Sequence, residues 1–430
     1  MNRILRIAYC GFLIFLAGCS SLQSFDSSWI NNILYTPTPI PTKIATFTPP
    51  PLQTTEASTG QPESNGSQAK ILRIWLPPQF NPNTNNAASA LLKQRLTSFE
   101  VQHPGLEIDV RIKAEEGDAD LLNSLAITSV AAPSALPDLV ALPRPALEAA
   151  VEKKLVRPLD DFSTELQNSN WYPYARELAK VDGTPYGIPF AGDALVIIYR
   201  PDLVWIKTWD DILLSEGHLM FAGADSEAQV GLSMYMSAGG PLLDSQGHPT
   251  LDQEILTQVL EIFAKGRAAA LFPDAVANIS TDSQVLQEYR ARRANMAIAH
   301  FSEYRAAQDG LVQPLMGLKD AHFTSSTGWV WSLAGQNPDT QELSAQLADF
   351  LTADDFLAQW IKETGYLPTR GSPTNKTSDS PIPAIIEAAQ PSPSGDTLQV
   401  LGPAMQEALI RVLNGEQPEA VARSIVEKLK

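Results

Sequence analysis

The stretch KILRIWLPPQFNPNTNNAASALLKQRLTSFEVQHPGLEIDVRI, residues 70–112, decides the fold class. Its opening run, 71–76, is rich in β-favouring apolar residues and reads as a strand, and 106–112 reads as a second. Between them Leu91, Leu92, Leu96 and Phe99 recur at helical spacing over 87–102 and mark one face of a helix. Pro104 and Gly105 stop that helix and release the chain into the next strand. Strand, helix, strand in this order predicts parallel pairing through a crossover, hence an α/β sheet covered on both faces.

The alternation continues outward. A helix is expected over 118–131, strands over 138–142, 194–199 and 294–299, and helices over 209–214, 251–265, 341–351, 405–413 and 418–430. Thr208, ahead of Trp209-Asp210-Asp211, has the chemistry of an N-cap: its hydroxyl can accept from the amides of the next turn, and the acids sit at the positive end of the dipole. Thr352, ahead of Ala353-Asp354-Asp355, is expected to repeat the device. Helix starts therefore account for the paired acids, Asp160-Asp161 included, without general acid/base work. Residues 371–383, rich in Pro, Ser and Thr, read as an exposed loop.

Towards the start of the chain the pattern is different. Arg3 and Arg6 precede an apolar core over 7–17, shorter than the ~20 residues a spanning helix needs, so 1–19 reads as a signal peptide. It ends in Leu16-Ala17-Gly18-Cys19-Ser20, which resembles the bacterial lipobox and makes Cys19 the expected lipidation site; a plain secretory leader with an incidental Cys is the alternative. Cys10 and Cys19 are the only cysteines, so an acylated mature chain keeps no thiol for a disulfide or for catalysis. Residues 20–69, centred on TPTPIPTKIATFTPPP, read as a disordered Pro/Thr-rich tether; at ~3.1 Å per residue it could reach on the order of 100 Å from a membrane.

Composition narrows the function. At 430 residues the chain exceeds what one core usually organises, so two lobes are the prior. A net charge of -17 argues against nucleic acid or an anionic membrane face and favours a neutral or weakly cationic ligand. The five histidines show no HxxxH or HxH spacing, so neither a metal nor a cofactor is expected. GxSxG, GxxxxGK[ST], HExxH and GxGxxG are all absent, and the chain is not expected to be an enzyme. A carbohydrate-active enzyme working through two carboxylates is the remaining enzymatic alternative.

Several segments then carry a resemblance through their shared order: LRIW; LLKQRLTSFEVQHPGLEIDV; PDLVAL with LVRPLDDF; VDGTPYGIPFAGDALVIIYRPDLV with TWDDIL; GGPLLDSQG; ANMAIAHF; and GWVWSLAGQNPDTQELSAQLADFLT leading to ETGYLPTR. From about 71 to 430 the chain resembles the family 1 extracellular solute-binding proteins, the group that includes maltose-binding protein. The resemblance implies a periplasmic-binding-protein-like fold with two α/β lobes, 70–191 with 330–365 and 192–329 with 366–430. A multi-segment hinge would cross at 191–194, 328–333 and 365–368, leaving a ligand cleft between the lobes. It further implies a monomeric, lipid-anchored receptor at the cell membrane, facing the periplasm or exterior. Such a receptor captures a small polar solute, a sugar or oligosaccharide, by hinge closure and delivers it to the permease subunits of an ABC-type importer. A membrane sensor reading the same closure is the alternative partner.

The resemblance also nominates ligand contacts. Gln79 and Phe80 follow the first strand where polar sugar contacts are often found, and Asp193, in PFAGDAL, stands at the place of an acidic hydroxyl acceptor. Glu227 lies upstream of Gly239-Gly240, Phe301 follows ANMAIAH, Trp329 and Trp331 stand at the second crossing, and Tyr366 at the third. Each has a plainer alternative: aromatic residues in an α/β domain are often core, and a hinge carboxylate can serve backbone amides instead of ligand. Trp75 alternates with core positions and reads as structural. Leu142 and Leu401-Gly402-Pro403-Ala404 stand where the family often has aromatics, implying a shallower pocket for a mono- or disaccharide or another polar solute. Arg144 stays open between meeting an anionic group and being a solvated surface charge.

Overall fold

Strands β1 (Lys70–Leu76), β2 (Leu106–Ile112) and β3 (Leu139–Pro143) pair in parallel, with β1 between the other two. They belong to a computed structural model that describes residues 70–430 apart from 116, 161, 204–205, 308, 319–321 and 372–379. The expected signal peptide, Cys19, the tether and most of the 371–383 loop lie outside the described residues. The first helix keeps its expected bounds, Ala87–Gln102; it buries Leu92, Leu96 and Phe99, and Asn86 caps it by accepting from the Ser89 amide. The next starts later than expected, at Leu121–Ala131, because Asp120 is its cap.

A short hairpin, β4 (Lys180–Val181) with β5 (Thr184–Pro185), precedes β6 (Ile188–Tyr199). All of β6 is buried, as suits a near-continuous apolar run covered on both faces. The expectation began this strand at Ala194, after the glycines and prolines of residues 182–190. The proline is instead accommodated by a bulge: the register against the partner strand shifts between Trp329 and Val330, and Phe190 is passed over. The remaining strands are β7 (Leu219–Met220), β8 (Met296–His300), β9 (Leu311–Pro314), β10 (Thr324–Leu333) and β11 (Ala389–Pro391).

The sheet runs β2-β1-β3-β10-β6-β8-β7, with β11 on β10 and β9 on β6. Purely parallel pairing is corrected here. β10 is antiparallel to both β3 and β6, and β6 is antiparallel to β8 and β9. The chain leaves one lobe along β6 and returns along β10, and two neighbouring strands travelled in opposite senses must pair antiparallel.

Two hydrophobic cores result. One gathers Leu72, Ile74, Leu125, Leu142, Phe190, Val330 and Leu347; the other gathers Ile197, Leu219, Leu256, Phe263, Ile298, Leu401 and Leu409. β6 feeds both, the first through Ile188, Phe190 and Ala191 and the second from Ala194 to Tyr199. Where it passes between them, Gly192 faces Gly328 of β10. Leu367 joins the same point, exchanging backbone hydrogen bonds of 2.7 and 2.9 Å with Gly192. Neither glycine has room for a side chain: a Cβ would lie 2.1 Å from the Tyr174 hydroxyl at Gly192, and 2.4 Å from the Ala191 carbonyl oxygen at Gly328. After Leu367 the chain does not stay with the second core. Arg370, only 7% exposed, donates to Glu165, Asn170 and the Thr352 carbonyl beneath Trp171, so this turn is anchored on the first lobe.

The helix caps divide. Thr208 forms a full capping box with Asp211 ahead of Trp209–Leu214. Thr352 does not: Ala353 stands at the cap of Asp354–Thr364, and the Thr352 hydroxyl donates back to the Ala348 carbonyl at 2.8 Å. The 405–413 helix proves to be Gly395–Leu413 with Pro403 inside it, and Ile382–Ala388 is helical at the far end of the expected loop. No helix among the described residues is long and apolar enough to cross a membrane.

Candidate functional site: the interlobe cleft

A cleft of about 610 Å³ opens at the crossing strands. Its floor is Asp193, Thr327, Gly328 and Trp329, which β6 and β10 place side by side, Thr327 opposite Asp193 and Trp329 opposite Ala191. One wall carries Gln79, Glu115, Pro143 and Pro145 from the ends of β1, β2 and β3. The other carries Asp225, Gln229, Ser280, Asp282, His300, Ser302 and Glu303, from the end of β8 and the starts of three helices. Tyr366 closes the third side. Volume and polarity are those of a small-molecule site.

Of the residues nominated from sequence, Gln79, Asp193, Trp329 and Tyr366 line this cleft. Gln79 donates from Nε2 to Glu115 at 2.9 Å and also bonds the Tyr366 hydroxyl, which in turn meets Trp329. Burial, with Asp193 and Glu115 nearby, pushes the Tyr366 phenol well up, so it remains a neutral donor. Asp193 is 5% exposed and accepts from the Ala194 amide at 2.9 Å, the Ser302 amide at 3.1 Å and the Ser302 hydroxyl. Burial raises its pKa, an effect opposed by His300 and these donors. Asp193 thus ties β6 to the Phe301–Ala307 helix while standing in the cleft floor.

Phe80, Phe301, Trp331 and Glu227 are not among the residues that line this cleft. Phe80 sits behind the floor, 5.1 Å from Phe190, 5.3 Å from Trp329 and 5.5 Å from Tyr366, ring to ring. It packs against the aromatic residues that line the cleft and does not line it itself. Trp331 stacks on Phe190 at 4.6 Å inside the first core, and Phe301, 2% exposed, belongs to the second. Glu227 lies behind Gln229, whose amide donates to it at 3.0 Å. Arg144 is not among the residues lining the cleft; Glu148 accepts from its Nε at 2.7 Å, and the Glu177 carbonyl accepts from its Nη1.

Sequence reasoning passed over His300. Its Nδ1 lies 2.6 Å from Asp282, and the same carboxylate oxygen accepts the His300 amide at 2.9 Å. Burial alone would lower the imidazole pKa, but Asp282, with Asp193 and Asp225 behind it, raises it to about 9. The imidazole is therefore a cation at neutral pH. A signal was present in ANMAIAH: side chains alternate along a strand, so His300 shares a face with Ile298, which also lines the cleft, whereas Phe301 begins a helix. Asp225 and Gln229 carried no comparable signal. They arrive through a cap, Ala228 in left-handed conformation at φ 46°, and through Gly402, whose missing side chain lets the last long helix touch the Ser226 and Glu227 backbone.

The matches to known proteins agree with this geometry. Residues 94–380 match the family described as bacterial extracellular solute-binding protein. No curated protein matches the sequence. Among solved structures, the maltose-bound MalE3 of T. maritima is similar over 84% of this chain and 99% of its own, at 19% identity and TM-score 0.64. The maltodextrin-binding protein MalE1 of L. casei BL23 is similar over 84% and 99%, at 16% identity and TM-score 0.67. An ABC transporter solute-binding protein of Thermotoga lettingae TMO, bound to α-D-tagatose, is similar over 84% and 98%, at 18% identity and TM-score 0.62. At such identities the likeness establishes the fold: two α/β lobes of the periplasmic-binding-protein kind.

Proposed function

The chain belongs to the bacterial extracellular solute-binding proteins, and from that premise we propose that it is the lipid-anchored, monomeric receptor of an ABC-type importer for a sugar or short oligosaccharide. The observation that carries the reading is the cleft itself: a cavity of about 610 Å³ whose walls come from both cores and whose floor is the pair of strands joining them. A solute held there touches both lobes at once. Closure is then favoured only by contacts better in the closed form, and a permease can read the resulting shape.

Chemistry supports a sugar. Trp329 and Tyr366 offer aromatic surface for the C–H side of a ring, and Asp193, Gln79, Ser302 and Thr327 offer acceptors and donors for hydroxyls. Maltose, maltodextrins and tagatose are the solutes named for the similar structures. Anchoring is assigned to Cys19, and the lobes to 70–191 with 330–365 and 192–329 with 366–430, the 368–371 turn lying against the first. The test is a thermal-shift screen against maltose, maltotriose, tagatose, polyols, amino acids and phosphoesters, since a bound solute raises the midpoint by mass action. A sugar that raises it, and no longer does so in Trp329→Ala, supports the reading; response only to amino acids or phosphoesters overturns it.

A further inference from the structure

The charge of the cleft is lopsided in a way that binding a neutral sugar does not require. Five carboxylates line it, from Glu115, Asp193, Asp225, Asp282 and Glu303, against the single imidazole of His300; no described lysine or arginine takes part. Three of the five are matched locally, Glu115 among them through the Gln79 amide at 2.9 Å. Asp282 holds His300, and Asp225 accepts from the Glu227 amide at 3.0 Å and the Gln229 amide at 3.1 Å at the positive end of the Gln229–Ser237 helix. Asp193 accepts from the neutral donors of Ala194 and Ser302, with the His300 charge opposing the effect of its burial, and Glu303 makes no hydrogen bond or ion pair with a described residue. The Glu227 carboxylate accepts from the Gln229 side-chain amide at 3.0 Å.

The consequence is visible in their protonation. Burial first, and then the carboxylates of Asp282 and Asp193, push Glu303 up against the opposing charges of His300 and Arg290; burial and Asp225 do the same to Glu227 against His300 and the Gln229 amide. Such mutual repulsion is relieved by a cation. Trp329 and Tyr366 also line the cleft, and an aromatic ring attracts an ammonium through its quadrupole. A metal ion fits less well, because no group of three or more His, Cys, Asp or Glu among the described residues is arranged to hold one.

Resting on the solute-binding reading, we infer that the cleft selects a small polar solute carrying a protonated amine, with an amino sugar as the form that also uses its hydroxyl-directed groups, and that Glu303 and Asp193 face the ammonium. Anionic sugars are rejected by the same field.

Calorimetric titration of the protein with D-glucosamine, D-glucose, D-glucuronate and spermidine tests this. Glucosamine should bind at least about tenfold more tightly than glucose, and glucuronate not at all. Raising ionic strength should shrink the amine preference while leaving glucose unchanged, because added salt shortens the screening length. Glu303→Gln, which loses no hydrogen bond to a described residue, should bring glucosamine close to glucose. Spermidine tighter than glucosamine would keep the charge assignment and overturn the amino-sugar form. Equal or weaker binding of glucosamine relative to glucose would overturn the inference and leave the sugar receptor standing. Binding by none of the four would overturn it as stated.

Discussion

The two walls of the cleft are built by different physics. On the first lobe Gln79, Pro143 and Pro145 join Trp329 of the floor, whose ring meets Phe80, which in turn packs on Phe190 and Trp360. On the second lobe Asp225, Asp282, His300, Ser302 and Glu303 come from a strand end and helix starts, where the backbone itself demands polar partners. The first wall is positioned by packing, so its shape and its stability are one property. The second is positioned by hydrogen bonds and charge, so it should respond to pH and salt while the first does not.

Breaking the first wall should have the largest effect. Trp329→Ala removes a ring that is 5% exposed and in edge contact with Phe80, and should cost about 3–5 kcal/mol in urea unfolding as well as sugar binding. A loss of binding without loss of stability would show the ring to be a ligand platform alone.

The second wall is tested by titration. His300 is 19% exposed and its pKa rises to about 9 in the folded chain, above its unfolded value, so its stabilisation is fully present below the unfolded pKa and is lost as pH rises through about 9. At ~1.36 kcal/mol per pH unit, this contribution is on the order of 3 kcal/mol at most. Urea midpoints should therefore fall from pH 6 to pH 10, and His300→Gln should flatten the decline; an unchanged decline would place its cause elsewhere.

The junction of the walls comes next. Gly192→Ala drives a Cβ into the Tyr174 hydroxyl and should destabilise by about 1–3 kcal/mol. Gly239→Ala is a useful contrast, because nothing lies within 4 Å of its Cβ and only its φ of +85° opposes the change. The smallest effect is a control outside both walls: Thr208→Ala removes a capping box and should cost about 1 kcal/mol by thermal melt, with solute affinity unchanged.

This contrast also explains what was legible in the sequence. Elements fixed by periodicity were readable, as the Ala87–Gln102 helix and β2 show. Elements that carry Gly or Pro for tertiary reasons were cut short: β6 runs through Pro189 because its partner's register shifts, and the Gly395–Leu413 helix runs through Pro403. At the site, Trp329, Tyr366, Gln79 and Asp193 lie beside the crossings that the resemblance located. Phe80 and Gln79 are adjacent in one turn yet face core and cleft respectively, a choice no pattern of residue types records. The second wall was least legible, because Asp225, Asp282 and Ser302 lie far apart in sequence and converge only when three helix starts meet.

Small-angle scattering, recorded with and without a solute that calorimetry has shown to saturate the protein, tests the hinged receptor most directly. A filled gap should draw the halves together and reduce the radius of gyration, and the reduction should be absent in Trp329→Ala. Superimposable curves from the wild-type chain, empty and saturated, would contradict it.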